Sequence, residues 1–152
     1  MAVVRVLTWI LFTRHPLMAV VIAKDIMPEY QPTPIAEVKQ RLIDAMIEFM
    51  DGDPEQPNKD FDCGYTREDV DRCSSIIDSY LSDVAAKNGA DDSEILLAVK
   101  TAVLQLNELN DNCGGGLIET DQREDLCELI LVAAQQNGLT TTDDVTEEWR
   151  EW

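Results

Sequence analysis

An all-α fold, arranged as an antiparallel four-helix bundle, is what this sequence predicts, and three observations carry the prediction. Between Thr33 and Gly138 apolar side chains recur four times in alternating steps of three and four, the spacing of one face of a helix. Each run is preceded by residues that favour helix starts and followed by a glycine at 52, 89, 114 or 138. No comparable period-two run occurs after residue 30, so no substantial sheet is expected there. At 152 residues, a single domain can hide roughly 70% of the surface of its unfolded chain. Its 45% hydrophobic and 28% charged content is that of an ordinary globular chain.

The first helix is expected to begin with Thr33 as its cap and Pro34 at the first helical position, where the missing N–H is no loss. Ile35, Val38, Leu42, Ala45 and Phe49 line its apolar face, and Asp51-Gly52-Asp53-Pro54 stops it. A polar loop leads to Tyr65, after which Thr66-Arg67-Glu68-Asp69 reads as a capping box with Asp in the Glu position. The second helix follows with Val70, Cys73, Ile77, Tyr80 and Val84 inward, and Asn88-Gly89 closes it. The third, from about Asp92, carries Ile95, Val99, Ala102, Leu106 and Leu109 and ends before Gly114-Gly115-Gly116. Thr120 is expected to cap the fourth, with Asp121, Glu124 and Asp125 near its favourable N-terminal end and Leu126, Leu129, Ile130 and Ala133 buried. The tail from Asp143 to Trp152 suggests a short fifth helix with Val145 and Trp149 on one side. Four helices with one apolar stripe each bury those stripes most simply as an up-and-down bundle.

Residues 1–32 read as an irregular N-terminal extension, and 33–152 as one helical domain. The apolar run Val6–Phe12 resembles the start of a signal peptide or anchor, but Thr13-Arg14-His15-Pro16 interrupts it well short of the ~18 apolar residues of a spanning helix. Composition changes at the same place. Three of the twelve basic residues and one of the thirty acidic ones precede residue 28, which favours reading this segment as residues upstream of a true start at Met18 or Met27 over a degraded targeting segment or over two short strands or an extra helix. Met27-Pro28 through Pro34 is a proline-stiffened lead into the helices.

The formal net charge of the chain is -18. Such a field repels phosphate and anionic headgroups, since affinity for both rests on Lys and Arg, so neither nucleic acid nor membrane is an expected partner. It attracts basic protein surfaces and speeds encounter with them. The four cysteines, Cys63, Cys73, Cys113 and Cys127, contain no C-x-x-C pair and do not have zinc-site spacing. Reduced thiols in a cytoplasmic protein are the expectation. Cys63 and Cys113 fall in loops, where Asp60, Asp62 and the negative end of a helix should dull their reactivity; Cys73 and Cys127 fall on apolar faces.

Catalytic equipment is sparse. His15 is the only histidine, which leaves the helical domain without a Ser-His or Cys-His pair and without the Glu-x-x-His pairs of a di-metal bundle. Asp51-Gly52-Asp53-Pro54-Glu55 begins like a calcium loop but has no glycine at its sixth place and Asp62 at its twelfth. Gly114-Gly115-Gly116 precedes a helix without a preceding strand or a Gly-Lys-Ser/Thr, so it reads as a hairpin connection whose glycines let Leu117 and Ile118 adapt to a partner. Two tryptophans three apart, Trp149 and Trp152, either dock on the bundle or anchor a partner.

Together these features predict a non-enzymatic acidic interaction domain that neutralises a basic protein, in the manner of an immunity or antitoxin protein. Glu119, Asp121, Glu124, Asp125, Trp149 and Trp152 are its expected partner-binding residues, with no catalytic residue, cofactor or metal ligand assigned. Two other readings are compatible with the sequence: a carboxylate-only enzyme with a divalent metal at Asp51, Asp53 and Glu55, and a helical subunit of a homo-oligomer.

Overall fold

The computed structural model describes residues 34–52 and 61–152. The N-terminal extension, Thr33, Asp53 and Glu55 lie outside the described residues. Four helices account for most of what is described: α1 (Ile35–Asp51), α2 (Arg67–Ala86), α3 (Asp92–Asn112) and α4 (Thr120–Gln136). They form the antiparallel bundle that four amphipathic stripes require, with α2 packed chiefly on α3 and α1 chiefly on α4. Among the described residues no helix is long and apolar enough to cross a membrane.

Pro34 stands one residue ahead of α1 rather than inside it, and its carbonyl accepts the first turn's N–H groups from Glu37 and Val38. The buried face of α1 is Val38, Leu42 and Met46, a run of four-residue steps that follows one ridge of the helix. Phe49, expected on that face, is instead 51% exposed. It belongs to the last turn, where α1 borders a cleft rather than a packed helix.

The capping box of α2 forms as its sequence implies: Asp69 N–H donates to Thr66 Oγ1 at 3.3 Å, and Asp69 Oδ2 accepts from Thr66 N–H at 2.9 Å. All five expected inward residues of α2 are buried, and Tyr80 Oη donates to the Ile130 carbonyl of α4 at 2.7 Å. On α3 the expected seam is joined by Ala98, Val103, Asn107 and Asn110, so this helix is buried over a wider arc than the others. The start of α4 is displaced by one residue. Glu119 takes the cap position because Gln122 Oε1 accepts its N–H at 3.2 Å, which makes Thr120 the first helical residue.

After α4 the chain does not form a fifth helix. Leu139 turns inward behind Gly138, and residues 145–149 make a turn closed by Thr146 O accepting from Trp149 and Arg150 N–H. This tail is fastened to both helices beside it. Asn107 of α3 donates to Trp149 O at 2.8 Å and accepts from Glu151 N–H at 3.2 Å, while Cys127 of α4 meets Thr146 and Arg150. A strap bonded to side chains leaves fewer free backbone groups than it would as an isolated helical turn, whose formation is unfavourable at such short length.

Candidate functional site

The end of α1, the loop before α2 and the start of α4 enclose a cleft of about 430 Å³. One wall is aromatic. Tyr65 is fixed by its hydroxyl, which donates to Met46 O at 2.8 Å, and Phe49 stacks on it with ring centroids 6.5 Å apart. Phe61 meets Phe49 edge-on at 5.5 Å. Burial comes first among the causes that push the Tyr65 phenol up to about 12, with Cys63 and Cys113 adding to it, so the ring stays neutral at physiological pH.

The connection between α3 and α4 supplies Gly116 and Leu117 to the lining. Gly114 takes φ +64°, its N–H donates to Asp111 O at 2.9 Å, and Gly115 N–H donates to Asn110 O at 2.8 Å. These two bonds close α3 in a left-handed cap that glycine accepts without strain. Gly116 serves close approach: a Cβ there would lie 3.2 Å from the Cys63 carbonyl. The Asn110 side chain then accepts the N–H groups of Leu117 (3.1 Å) and Ile118 (2.9 Å), which places both residues in the core. Leu117 and Ile118 are therefore fixed by Asn110 and not free to adapt to a partner.

The expected acidic residues separate into groups. Glu119 and Asp121 are exposed at the rim of the cleft, Glu124 is exposed further along α4, and Asp125 is held by Arg41 of α1. Glu128 shares the same guanidinium at 3.2 Å. Among the described residues, no basic side chain lines the cleft. The α4 N-terminus contributes roughly half a positive charge, less than either rim carboxylate carries with negative sign, so the described lining of the cleft is net negative. Trp149 and Trp152 are half-buried against the core, and neither lines the cleft; the ammonium of Lys100 stands 5.7 Å from the Trp149 ring centroid.

Two cysteines differ in burial from what their places in the sequence imply, a loop for Cys113 and an apolar helix face for Cys127. Cys113 is buried, because it caps α3 and the Cys63–Tyr65 segment covers it; burial, then Asp69, pushes its thiol up. Cys127 is only half-buried, because it lies on the flank of α4 facing the tail, with Sγ 3.3 Å from Thr146 Oγ1 and 3.4 Å from Arg150 Nη1. Cys73 is a core thiol, pushed up to about 12 by burial. Cys63 is half-buried and donates to Tyr65 O at 3.1 Å.

A second hollow, about 320 Å³, lies between α2 and α3 with Arg72 and Glu108 on its lining; their charges offset each other. Among the described residues no three His, Cys, Asp or Glu side chains converge as metal ligands. No family model, curated protein or solved structure matches this chain. The aromatic wall is the part of the site that sequence reasoning missed. Its signal was present in Phe49, Phe61 and Tyr65 flanking one polar loop, but helical periodicity assigned Phe49 to the core.

Proposed function

We propose that this domain is a non-enzymatic interaction module that neutralises a basic protein partner, as an immunity or antitoxin protein does. The observation that carries this reading is the large surplus of carboxylate over cation, -18 for the chain, together with how little of it the fold consumes. Lys39, Arg41, Arg67 and Arg150 each sit in an ion pair with an acid of the domain. The rim acids Glu119 and Asp121 are paired with none of these cations. A surface with this imbalance steers a basic partner by long-range attraction and raises its association rate, most strongly at low ionic strength.

The test is affinity capture from the native host, with bound proteins eluted in a salt gradient and identified. A basic partner that binds stoichiometrically and leaves as sodium chloride rises supports the proposal. Elution of acidic or neutral proteins only, or binding indifferent to salt, would overturn it.

A further inference from the structure

We propose that the cleft between the end of α1 and the start of α4 receives an arginine side chain presented by the basic partner. The inference rests on the reading of the domain as a receptor for a basic protein and gives that reading an address. Three features of the cleft select this occupant. Its volume, about 430 Å³, falls in the range of ~300–1,000 Å³ typical of clefts that hold small groups. Its apolar wall contains Phe49, a ring left 51% exposed although its neighbours Tyr65 and Leu117 are buried. Its rim carries the carboxylates of Glu119 and Asp121, and no cation lines it among the described residues.

A guanidinium suits that combination better than an ammonium. Its flat face stacks on an aromatic ring, while its forked N–H groups reach carboxylates in pairs. An ammonium is a compact, strongly hydrated charge that gains less from the ring wall. An anion is the wrong occupant, since two full negative charges outweigh the partial positive charge of the helix end. The walls are also preorganised. Tyr65 is tied to Met46 O and the Leu117 backbone to Asn110, so little ordering is required when the ligand arrives.

The experiment titrates labelled tetra-arginine and tetra-lysine peptides into the full chain at low salt, read by fluorescence anisotropy. Tetra-arginine should bind several-fold tighter than tetra-lysine, at a ratio of about three or more. Glu119→Gln combined with Asp121→Asn should weaken tetra-arginine by about tenfold, the effect of losing charge-assisted hydrogen bonds. Glu147→Gln with Glu148→Gln removes the same charge from the exposed tail and should weaken it by less than about twofold. Phe49→Ser, at an exposed position where folding is least at risk, should weaken arginine binding and erase the preference over lysine. Equal losses in the rim and tail variants, or no difference between the two peptides, would overturn the cleft as the site while leaving a diffuse acidic receptor standing. Failure of both peptides while a captured basic partner still binds likewise removes the cleft alone. Failure of peptides and partner together removes the neutralisation reading with it.

Discussion

Asn110 decides the geometry of one end of the molecule. It is 6% exposed, and its single side-chain oxygen accepts the N–H groups of both Leu117 and Ile118. Removing that acceptor strands two buried donors, each worth about 1–3 kcal/mol. Asn110→Ala should therefore lower the unfolding free energy by about 2–4 kcal/mol in urea titrations, and it should weaken arginine binding without altering the charge of the cleft. Asn107 has the equivalent office at the tail, with both halves of its amide bonded to the backbone of residues 149 and 151. Neither role was legible in the sequence. A polar residue on an apolar stripe looks like a flaw in the stripe, and the backbone it satisfies belongs to segments with no periodic signal of their own. Phe49 escaped for the opposite reason. Its spacing is right for the core, but it faces the cleft and meets Phe61 and Tyr65 of the loop before α2 instead of a helix.

At the scale of elements, starts and stops were the most readable features because they depend on neighbours in sequence. The Thr66–Asp69 box and the glycine stops needed no tertiary information; the start of α4 shifted by one residue because Gln122 selects Glu119, and only the chain's path shows which of two adjacent candidates it meets. The tail is where local signals failed, and its attachment makes a pH-dependent prediction. Asp144 accepts from Thr146 N–H (2.9 Å), Thr146 Oγ1 (2.6 Å) and Arg150 Nη1 (2.8 Å). Burial pushes its carboxyl upward, but the bonds from Thr146 and the charge of Arg150 outweigh burial and hold it below the usual carboxylate range. A carboxylate depressed in the folded state stabilises that state above its unfolded pKa of about 3.9, and the contribution is lost as pH falls through the lower folded value. Asp144→Asn should accordingly melt below the parent at pH 7, and the two melting curves should converge once the pH has fallen through the depressed folded value of Asp144. Tryptophan emission measured along the same series should shift to the red earlier in the variant, as Trp149 and Trp152 leave the core.

For the whole molecule, the bundle followed from four amphipathic stripes that bury one another, whereas the cleft came from segments far apart in sequence, of which one stretch, Phe49 to Tyr65, marked only the aromatic wall. The charge of -18 acts at this scale, and it sets two responses to salt with opposite signs. Within the free domain, like charges repel one another across the surface, and packing has to offset that repulsion. The interhelical ion pairs work in the other direction: Arg41 bridges α1 to Asp125 and Glu128 of α4, and Lys39 reaches Asp78 of α2 at 2.6 Å. Such partly exposed pairs are each worth only about 0–1 kcal/mol, too little to balance so large a surplus. Raising sodium chloride from about 10 mM to about 500 mM shortens the Debye length from roughly 30 Å to a few ångströms, so screening should relieve more repulsion than attraction. The melting temperature of the free domain is expected to rise by several degrees over that range. With a saturating basic ligand at low salt the melting temperature starts higher, because ligand that binds only the folded state adds to stability. It should then fall toward the free curve as salt weakens the complex. Differential scanning calorimetry across the salt series reads both curves. A free domain that loses stability with salt would show that its ion pairs dominate its surface field, and the electrostatic basis of partner recognition would fail with it.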